Sequence, residues 1–465
     1  MPVQEPRYDL RAFLEDRRGV AIMLLAAAAV PFIGLVGLAT DTSRINLARS
    51  RMTDALDQAG LAAAQHRDLS DQTAEAHRFF AANFPAAAMG IDSVVGPTVT
   101  QSNAGGSLIL TARASVPMTF SRILGRGEVD IQARTVIARQ VRGMELALVM
   151  DNTGSMRYDG KIGAMKDAAT DLVNILYGDA ELSPNLYVSL VPFSATVNIG
   201  NQYTSWLTGY NAAAYNPTVW KGCVEARHAS GRDMTDATPA AQRFRPFFWA
   251  PNTVDNNWTP VNENNSAENN GTGPNLGCGP AITPLTNTKQ TVLDAIDEML
   301  SWHRGGTMIS VGLVWGWRTL SPSWRGLWDG VETGRPNDYG TPNVDKAVVI
   351  LTDGENQFYA WKGSSSPQGS DYTAYGRIDE DRIAATRAAS EAELDARTSQ
   401  ACALLKAEGI ILYTITFQVS SSSTRTMMEN CATSSEFYFN APSNDELRTV
   451  FQEIGSQLSE LRIAE

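Results

Sequence analysis

The sequence predicts an α/β protein with a doubly wound, mainly parallel sheet, preceded by a long N-terminal helix and a small α+β module. Three observations predict this. Residues 19–40 carry no charge, residues 91–141 alternate apolar and other residues with a period of two, and residues 143–465 alternate short apolar runs with helical patterns. Alternation of the last kind is typical of a sheet with helices on both faces. We therefore expect regions at residues 1–65, 66–142 and 143–465.

Composition and charge exclude some classes of function. Asp and Glu number 50 against 38 Lys and Arg, so the net charge is -12, and 43% of residues are hydrophobic. An acidic chain without a basic stripe argues against nucleic acid as a partner. The sequence has no HExxH helix and no CxxC pair, which argues against the zinc sites those motifs form.

The uncharged segment Gly19–Thr40 is long enough to span a membrane as a helix. A cleaved signal peptide is the alternative, but its apolar core is usually ~7–15 residues. Arg17 and Arg18 precede the segment, although arginines also follow it. We favour a single-pass inner-membrane protein with its N-terminus inside and its C-terminal bulk periplasmic or extracellular.

The helical pattern continues beyond the membrane segment as a narrow, Ala-rich stripe, with apolar residues spaced three and four apart from Ile45 to Ala63. The span and the motif TDTSRINLARSRMTDALDQAGLAAA resemble the N-terminal region of TadE/TadG-like pilus assembly proteins over residues 15–65. Pilins cut by a prepilin peptidase carry Glu where Leu24 stands here, which argues against processing of that kind. Residues 66–142 carry no chemistry, and we expect a spacer or docking module.

Residues 143–465 contain the predicted parallel sheet. Strands are expected at 145–150, 187–192, 347–351, 410–417 and 436–439, and helices at 161–177, 286–302, 390–408 and 444–461. Insertions are expected at about 195–285 and 356–385. Ligands of such sheets bind where the strands end.

Three polar motifs lie at these strand ends or between them. Asp151-Asn152-Thr153-Gly154-Ser155-Met156 follows the first strand, and Thr352-Asp353-Gly354-Glu355 follows the strand at 347–351. Gly305-Gly306-Thr307 opens a further helical stretch between them. Together they offer two carboxylates and three hydroxyls, which suit a hard cation such as Mg²⁺.

This pattern resembles the metal-ion-dependent adhesion site of von Willebrand factor A domains, with Asp151, Thr153 and Ser155 as its first part, Thr307 as its second and Asp353 as its third. The resemblance implies Mg²⁺ (or Mn²⁺ or Ca²⁺), bound closely by the three hydroxyls and partly through water by the carboxylates. It covers residues 143–465, where stretches such as Trp315-Gly316-Trp317-Arg318 also resemble TadG-type proteins. Lys161 and Arg157 are expected to flank the first helix, and Glu355 to be a solvated loop acid.

The insertions and the cysteines leave alternatives open. The first insertion contains four tryptophans, Trp206, Trp220, Trp249 and Trp258, which mark either a contact surface or a small satellite core. The second insertion is either a gate or a plain surface loop. The four cysteines are buried thiols, or two disulfides if the domain is exported. For an exported chain we predict the pairs Cys223–Cys278 and Cys402–Cys431.

Three functions compete. The first is a binding protein in pilus assembly or adhesion, in which an acidic side chain of a protein partner completes the coordination of the metal. The second is a structural assembly scaffold without metal-dependent recognition. The third, a metal-dependent hydrolase, lacks a phosphate loop and a nucleophile–base order, and none of the four histidines flanks the motifs. We therefore expect a protein that is not an enzyme.

Overall fold

The computed structural model describes residues 17–66, 69–101, 107–138, 142–263, 271–361 and 369–462. The chain divides into two compact units between residues 140 and 141. Parts of both predicted insertions, at 264–270 and 362–368, lie outside the described residues.

The first unit is built on one long helix. Helix α1 runs from Arg17 to Ala64 over 48 residues. Among the described residues, the stretch Met23–Ala64 is the one helix long and apolar enough to cross a membrane. Apolar side chains in its N-terminal half, such as Phe32 and Leu35, are exposed, which is consistent with a membrane anchor.

The C-terminal half of α1 belongs to the core of the first unit. Its predicted stripe is buried against helix α2 (Leu69–Asn83) and a three-stranded antiparallel sheet. Small side chains let the helix approach the sheet closely, and at Gly60 an added Cβ would lie 2.5 Å from the Ile137 side chain. The strands of this sheet, in order, are β1 (Ser93–Gln101), β2 (Ser107–Pro117) and β3 (Glu128–Ala138).

The second unit is a six-stranded, mainly parallel α/β sheet, which contains the five predicted strands and a sixth strand, Thr283–Thr286, that was not predicted. The chain starts in the middle of the sheet, moves outward to one edge, and returns to fill the other side. The last strand on the first side is antiparallel to its neighbour, and the other neighbouring pairs are parallel. From one edge to the other the strands are β13 (Tyr438–Ala441), β12 (Ile411–Phe417), β10 (Val344–Thr352), β4 (Gly143–Asp151), β5 (Leu186–Phe193) and β8 (Thr283–Thr286).

Helices cover both faces of this sheet because its central strands are apolar on both sides. On β4, Leu146 and Leu148 face one core, whereas Ala147 and Val149 face the other. The first core contains α3 (Lys161–Tyr177), α4 (Lys289–Asp297) and α8 (Asn444–Arg462). The second contains α5 (Ile309–Leu320), α6 (Arg387–Ala407) and α7 (Ser422–Cys431).

One predicted helix is too long. The prediction covered residues 286–302 with Leu300 facing inward, but α4 ends at Asp297 and Leu300 is exposed. Residues 298–302 turn toward the loop after β4, where the Trp302 amide donates to the Asn152 carbonyl at 2.7 Å. A hydrogen bond to a distant loop therefore replaces the next turn of the helix.

The described part of the first insertion packs as a core. Trp206, Trp220 and Trp249 are buried, and Trp206 makes edge-on contacts with Trp324 and Trp328. This favours the satellite-core alternative over a contact surface for these three residues. The insertion also contains the short strands β6 (Val197–Asn198) and β7 (Cys223–Val224).

The expectation of a plain surface loop for the second insertion is wrong for residues 370–378, which are buried. Asp371 forms a two-pronged ion pair with Arg304, and the Arg304 guanidinium lies 4.7 Å from the Trp249 ring centre. Arg377 pairs likewise with Asp255 of the first insertion. A buried charge requires such partners, so the two insertions hold each other in place.

The structure contains two disulfides. They join Cys223 to Cys278 and Cys402 to Cys431, the pairs named from the sequence. The first closes most of the first insertion. The second links α6 to the end of α7.

Candidate metal centre

The two predicted carboxylates lie at the ends of adjacent parallel strands. Asp151 is the last residue of β4, and Asp353 directly follows β10. Their side chains are buried. Asp151 accepts hydrogen bonds from the Thr153 amide and the Thr352 hydroxyl, both at 2.8 Å, so its carboxylate is fixed between the two loops.

The hydroxyls of the first motif join this carboxylate pair. Ser155 Oγ donates to Asp353 Oδ1 at 2.5 Å, and the Ser155 and Thr153 hydroxyls lie 3.1 Å apart. Asp151, Thr153, Ser155 and Asp353 thus form one hydrogen-bonded cluster at the carboxyl edge of the sheet. We call these four residues the oxygen cluster.

Thr307 reaches the same place from a third loop. It belongs to the two-residue strand β9 (Gly306–Thr307), which pairs with β11 (Gln357–Phe358). An added Cβ at Gly306 would lie 1.9 Å from the Gln357 carbonyl oxygen, so this pairing requires glycine. Thr153, Ser155 and Thr307 line one cavity of about 280 Å³.

The interior of the protein makes the charged state of Asp151 costly. Burial, together with the negative charge of Asp353, raises the pKa of Asp151 to about 7, despite the hydrogen bonds from Thr153 and Thr352. Two neighbouring carboxylates in such a place favour a bound cation. Within the described residues, no group of three or more His, Cys, Asp or Glu is placed to hold a metal. A metal here would therefore depend on the hydroxyls as well.

Lys161 contributes to this site, contrary to the expectation that it only flanks the first helix. Its Nζ donates to Asp353 Oδ2 at 2.9 Å, and its side chain is 12% exposed. One oxygen of Asp353 thus bonds to Ser155 and the other to an ammonium group. Arg157, by contrast, lines the cavity and stacks on the exposed ring of Tyr158. Glu355 is exposed, as expected.

The sequence reasoning missed His303. Its ring lies against Gly154, where an added Cβ would be 2.3 Å from His303 Nδ1, so a histidine does flank the motif. Burial, with the nearby charges of Arg157 and Arg304, lowers the pKa of His303 to about 4. The imidazole is therefore neutral at pH 7. The sequence signal that could have placed His303 at the site is its position two residues before Gly305-Gly306-Thr307.

Asn152 points away from the oxygen cluster, as its place between alternating ligands suggests. Its Nδ2 donates to the Leu300 carbonyl at 2.9 Å, and the residue is buried. It ties the segment before Thr307 to the first motif. Its side chain thus stabilises the junction between these two segments and does not face the oxygen cluster.

One comparison with protein families concerns the first part of the chain. Residues 19–66 match the Tad family model, described as Flp pilus-assembly TadE/G-like. This match covers α1 from Gly19 to its end. No curated protein sequence matches the chain significantly.

Several solved structures overlap loosely with the chain. The pilus adhesin SpaC from Lactobacillus rhamnosus GG has 12% identity and a TM-score of 0.36 over 78% of this chain, but only 34% of SpaC is covered. The vWF domain of the type V pili tip protein Mfa5 from Porphyromonas gingivalis has 10% identity and a TM-score of 0.38, over 70% of this chain and 97% of Mfa5. Proximal thread matrix protein 1 from the mussel byssus, with a zinc-occupied MIDAS motif, has 15% identity and a TM-score of 0.31, over 70% and 47%. Overlaps this loose do not assign a fold or a function.

Proposed function

We propose that this chain is a membrane-anchored, metal-dependent protein-binding factor of Flp-type (tight-adherence) pilus assembly or surface adhesion. Its second unit would be a doubly wound von Willebrand factor A domain, periplasmic or extracellular. The oxygen cluster beside the cavity is the observation that carries the proposal. The TadE/G-like match at residues 19–66 supports the connection to pilus assembly.

The donor set fits a hard divalent cation. Three hydroxyls line the cavity, and the two carboxylates lie behind them, bonded to the same loops. Ser155, Thr153 and Thr307 would hold Mg²⁺ or Mn²⁺, and Asp151 and Asp353 would supply negative charge. Oxygen donors of this kind suit Mg²⁺, which usually keeps water in part of its coordination shell. A bound cation would supply the positive charge that a ligand's carboxylate can coordinate.

The cavity suits an acidic ligand. Its volume of about 280 Å³ leaves space for a carboxylate side chain and several waters. Arg157 and the exposed Tyr158 stand on its wall, where a cation and an aromatic ring can contact the ligand. An Asp or Glu side chain of a pilus or envelope protein is therefore the proposed partner group.

The contacts of Ser155 do not favour the hydrolase alternative. A serine nucleophile is commonly activated by a histidine, but the Ser155 hydroxyl donates to Asp353, whose other oxygen accepts from the Lys161 ammonium. The scaffold alternative differs in one testable respect, because its contacts would not depend on the metal.

The test is titration of the full chain, in detergent or nanodiscs, with MgCl₂ and MnCl₂. Wild type should bind one cation, Asp353→Asn should not, and Glu355→Gln should bind like wild type. The two variants remove the same charge two positions apart, one buried in the cluster and one exposed. Capture of envelope proteins should then be lost with chelator and with Asp353→Asn. If capture of envelope proteins survives both the chelator and Asp353→Asn, the scaffold alternative stands. If wild type binds no cation at millimolar MgCl₂ or MnCl₂, the metal site is rejected.

A further inference from the structure

The loop between β2 and β3, residues 119–127, is fastened to α1 next to the apolar segment. Asp41 is buried at this point and accepts four hydrogen bonds from the loop. The donors are the amides of Thr119, Phe120 and Ser121, at 3.0, 3.0 and 2.7 Å, and the Ser121 hydroxyl at 2.8 Å. We call residues 119–127 the clasped loop.

The clasp places an aromatic ring beside the apolar part of the helix. An added Cβ at Gly37 would lie 2.6 Å from the Cβ and Cγ atoms of Phe120, so the ring rests directly on the helix backbone. Gly37 lies three residues before Thr40, or about 5 Å along a helix, inside the uncharged segment. Phe120 remains 38% exposed, and apolar side chains of this part of α1, such as Leu38, are exposed too.

The clasped loop and the neighbouring part of α1 carry basic side chains. Arg122 and Arg126 of the clasped loop are exposed, and two exposed acids, Glu128 and Asp130, follow the loop. Arg44, one turn beyond Asp41, donates to the Thr119 hydroxyl at 2.7 Å. Along α1 the apolar segment and the Phe120 ring at Gly37 therefore come before Arg44, which contacts the clasped loop.

That order matches the layers of a bilayer surface. The polar layer on each side of the hydrocarbon is about 5 to 7 Å thick. Aromatic rings concentrate at this boundary, and arginines just outside it attract anionic headgroups. Since α1 is the membrane anchor in the proposed function, the membrane nearest this loop is the one that α1 crosses.

We propose that the clasped loop is a lipid-binding site of the same bilayer. Phe120 lies at the boundary between headgroups and acyl chains, and Arg122 and Arg126 bind the phosphates of anionic phospholipids. The inference rests on the proposed membrane span. It makes the first unit a body seated on the membrane surface rather than one held away from it.

Photo-crosslinking of the full chain in nanodiscs tests this. p-Benzoyl-phenylalanine replaces Phe120, a change compatible with the clasp because Asp41 bonds to backbone amides and to Ser121. The control position is Val136, which is 47% exposed and lies eight residues along β3 from Glu128, or about 27 Å. After irradiation, mass spectrometry measures lipid adducts in phosphatidylcholine discs with and without phosphatidylglycerol.

We expect at least about tenfold more lipid adduct at position 120 than at position 136. Phosphatidylglycerol should be enriched several-fold over its share of the lipid, since each arginine near an anionic surface contributes roughly fivefold. The double variant Arg122→Gln, Arg126→Gln should remove this enrichment of phosphatidylglycerol. Added inorganic phosphate should leave the enrichment unchanged.

Two results would overturn the proposal while leaving the span intact. One is a lack of lipid adducts at position 120 in a chain that resists carbonate extraction. The other is an adduct to protein, which would identify the ring as a contact for a neighbouring helix. Release of the chain by carbonate would instead reject the span, and the lipid site with it.

Discussion

Replacing Lys161 with methionine should tighten the binding of a divalent cation to the oxygen cluster. The Lys161 ammonium lies 2.9 Å from Asp353 Oδ2, so a cation held at Asp353 has a positive charge as its neighbour. A dication and an ammonium about 5 Å apart repel by about 1.7 kcal/mol even at the dielectric constant of water, or about twentyfold in the dissociation constant. We adopt this lower value because Lys161, 12% exposed, can swing toward solvent.

Calorimetric titration of the full chain with MnCl₂ measures the effect, and Lys166→Met is the matched control. Lys166 is on the same helix, but its ammonium donates to the Asp297 carbonyl, away from the cluster. Wild type and Lys166→Met should bind alike, and Lys161→Met about twentyfold more tightly. Without metal, Lys161→Met should be less stable by about 1 to 3 kcal/mol, because Asp353 loses a charged partner. Equal or weaker binding by Lys161→Met would refute the reasoning.

Three further predictions concern stability. The pKa of Asp151 is raised to about 7 in the native state, from about 4 in the unfolded state. Between these pH values the metal-free native state therefore holds one proton more than the unfolded state. As pH rises from about 4 to about 7, the free energy of unfolding should fall by up to about 1.4 kcal/mol per pH unit. Thermal or urea unfolding across this range should show the fall, and Asp151→Asn should flatten it; an equal slope in both proteins contradicts the assignment. Removing the Cys223–Cys278 disulfide as a double alanine variant should cost roughly 4 kcal/mol in urea unfolding, and an unchanged midpoint would mean that the pair is not formed in solution. Asn152→Ala should cost about 1 to 2 kcal/mol by leaving the Leu300 carbonyl unpaired, with cation affinity within about twofold of wild type; a larger loss of affinity would make Asn152 part of the site.

The oxygen cluster could be anticipated because it depends on topology. The apolar runs before Asp151 and Asp353 predict buried strands, and parallel strands bring their following loops to the same edge. Thr307 could be included only through the resemblance to a known family, since its two-residue strand carries no periodic signal. Sequence patterns thus locate candidate oxygen donors more readily when they directly follow a strand than when they lie on an irregular segment.

Periodicity and strand ends did not place Lys161 and His303 at the site, for a related reason. Lys161 begins α3, where a solvated flank is the ordinary expectation, and only the three-dimensional path of the preceding turn aims it at Asp353. His303 approaches the site through residues 298–302, which were predicted as helix. Apolar spacing favoured that helix, whereas hydrogen bonds to Asn152, 150 or so positions earlier, decide the conformation.

One short helix was overlooked although it carries a local signal. Helix α7 begins after Ser421, whose hydroxyl accepts a hydrogen bond from the Thr424 amide at 3.3 Å. Serine before a helix is a common N-terminal cap. The run of four serines around it was equally typical of a loop. Packing of Met428 in the core decides between them.

The disulfides have a mechanical consequence for a protein with the proposed function, which would bear force between a membrane and a pilus. A pulling force on an extended chain gains at most about 3.3 to 3.6 Å per residue. The Cys223–Cys278 bond spans 55 positions and the Cys402–Cys431 bond 29. Even if the surrounding fold were pulled apart, roughly 190 Å and 100 Å of chain would stay locked behind these bonds. The distance over which the oxidised protein lengthens under tension is therefore shorter by that amount than for the reduced protein. The loops of the candidate site lie outside both bonds, so the disulfides do not protect them from unravelling.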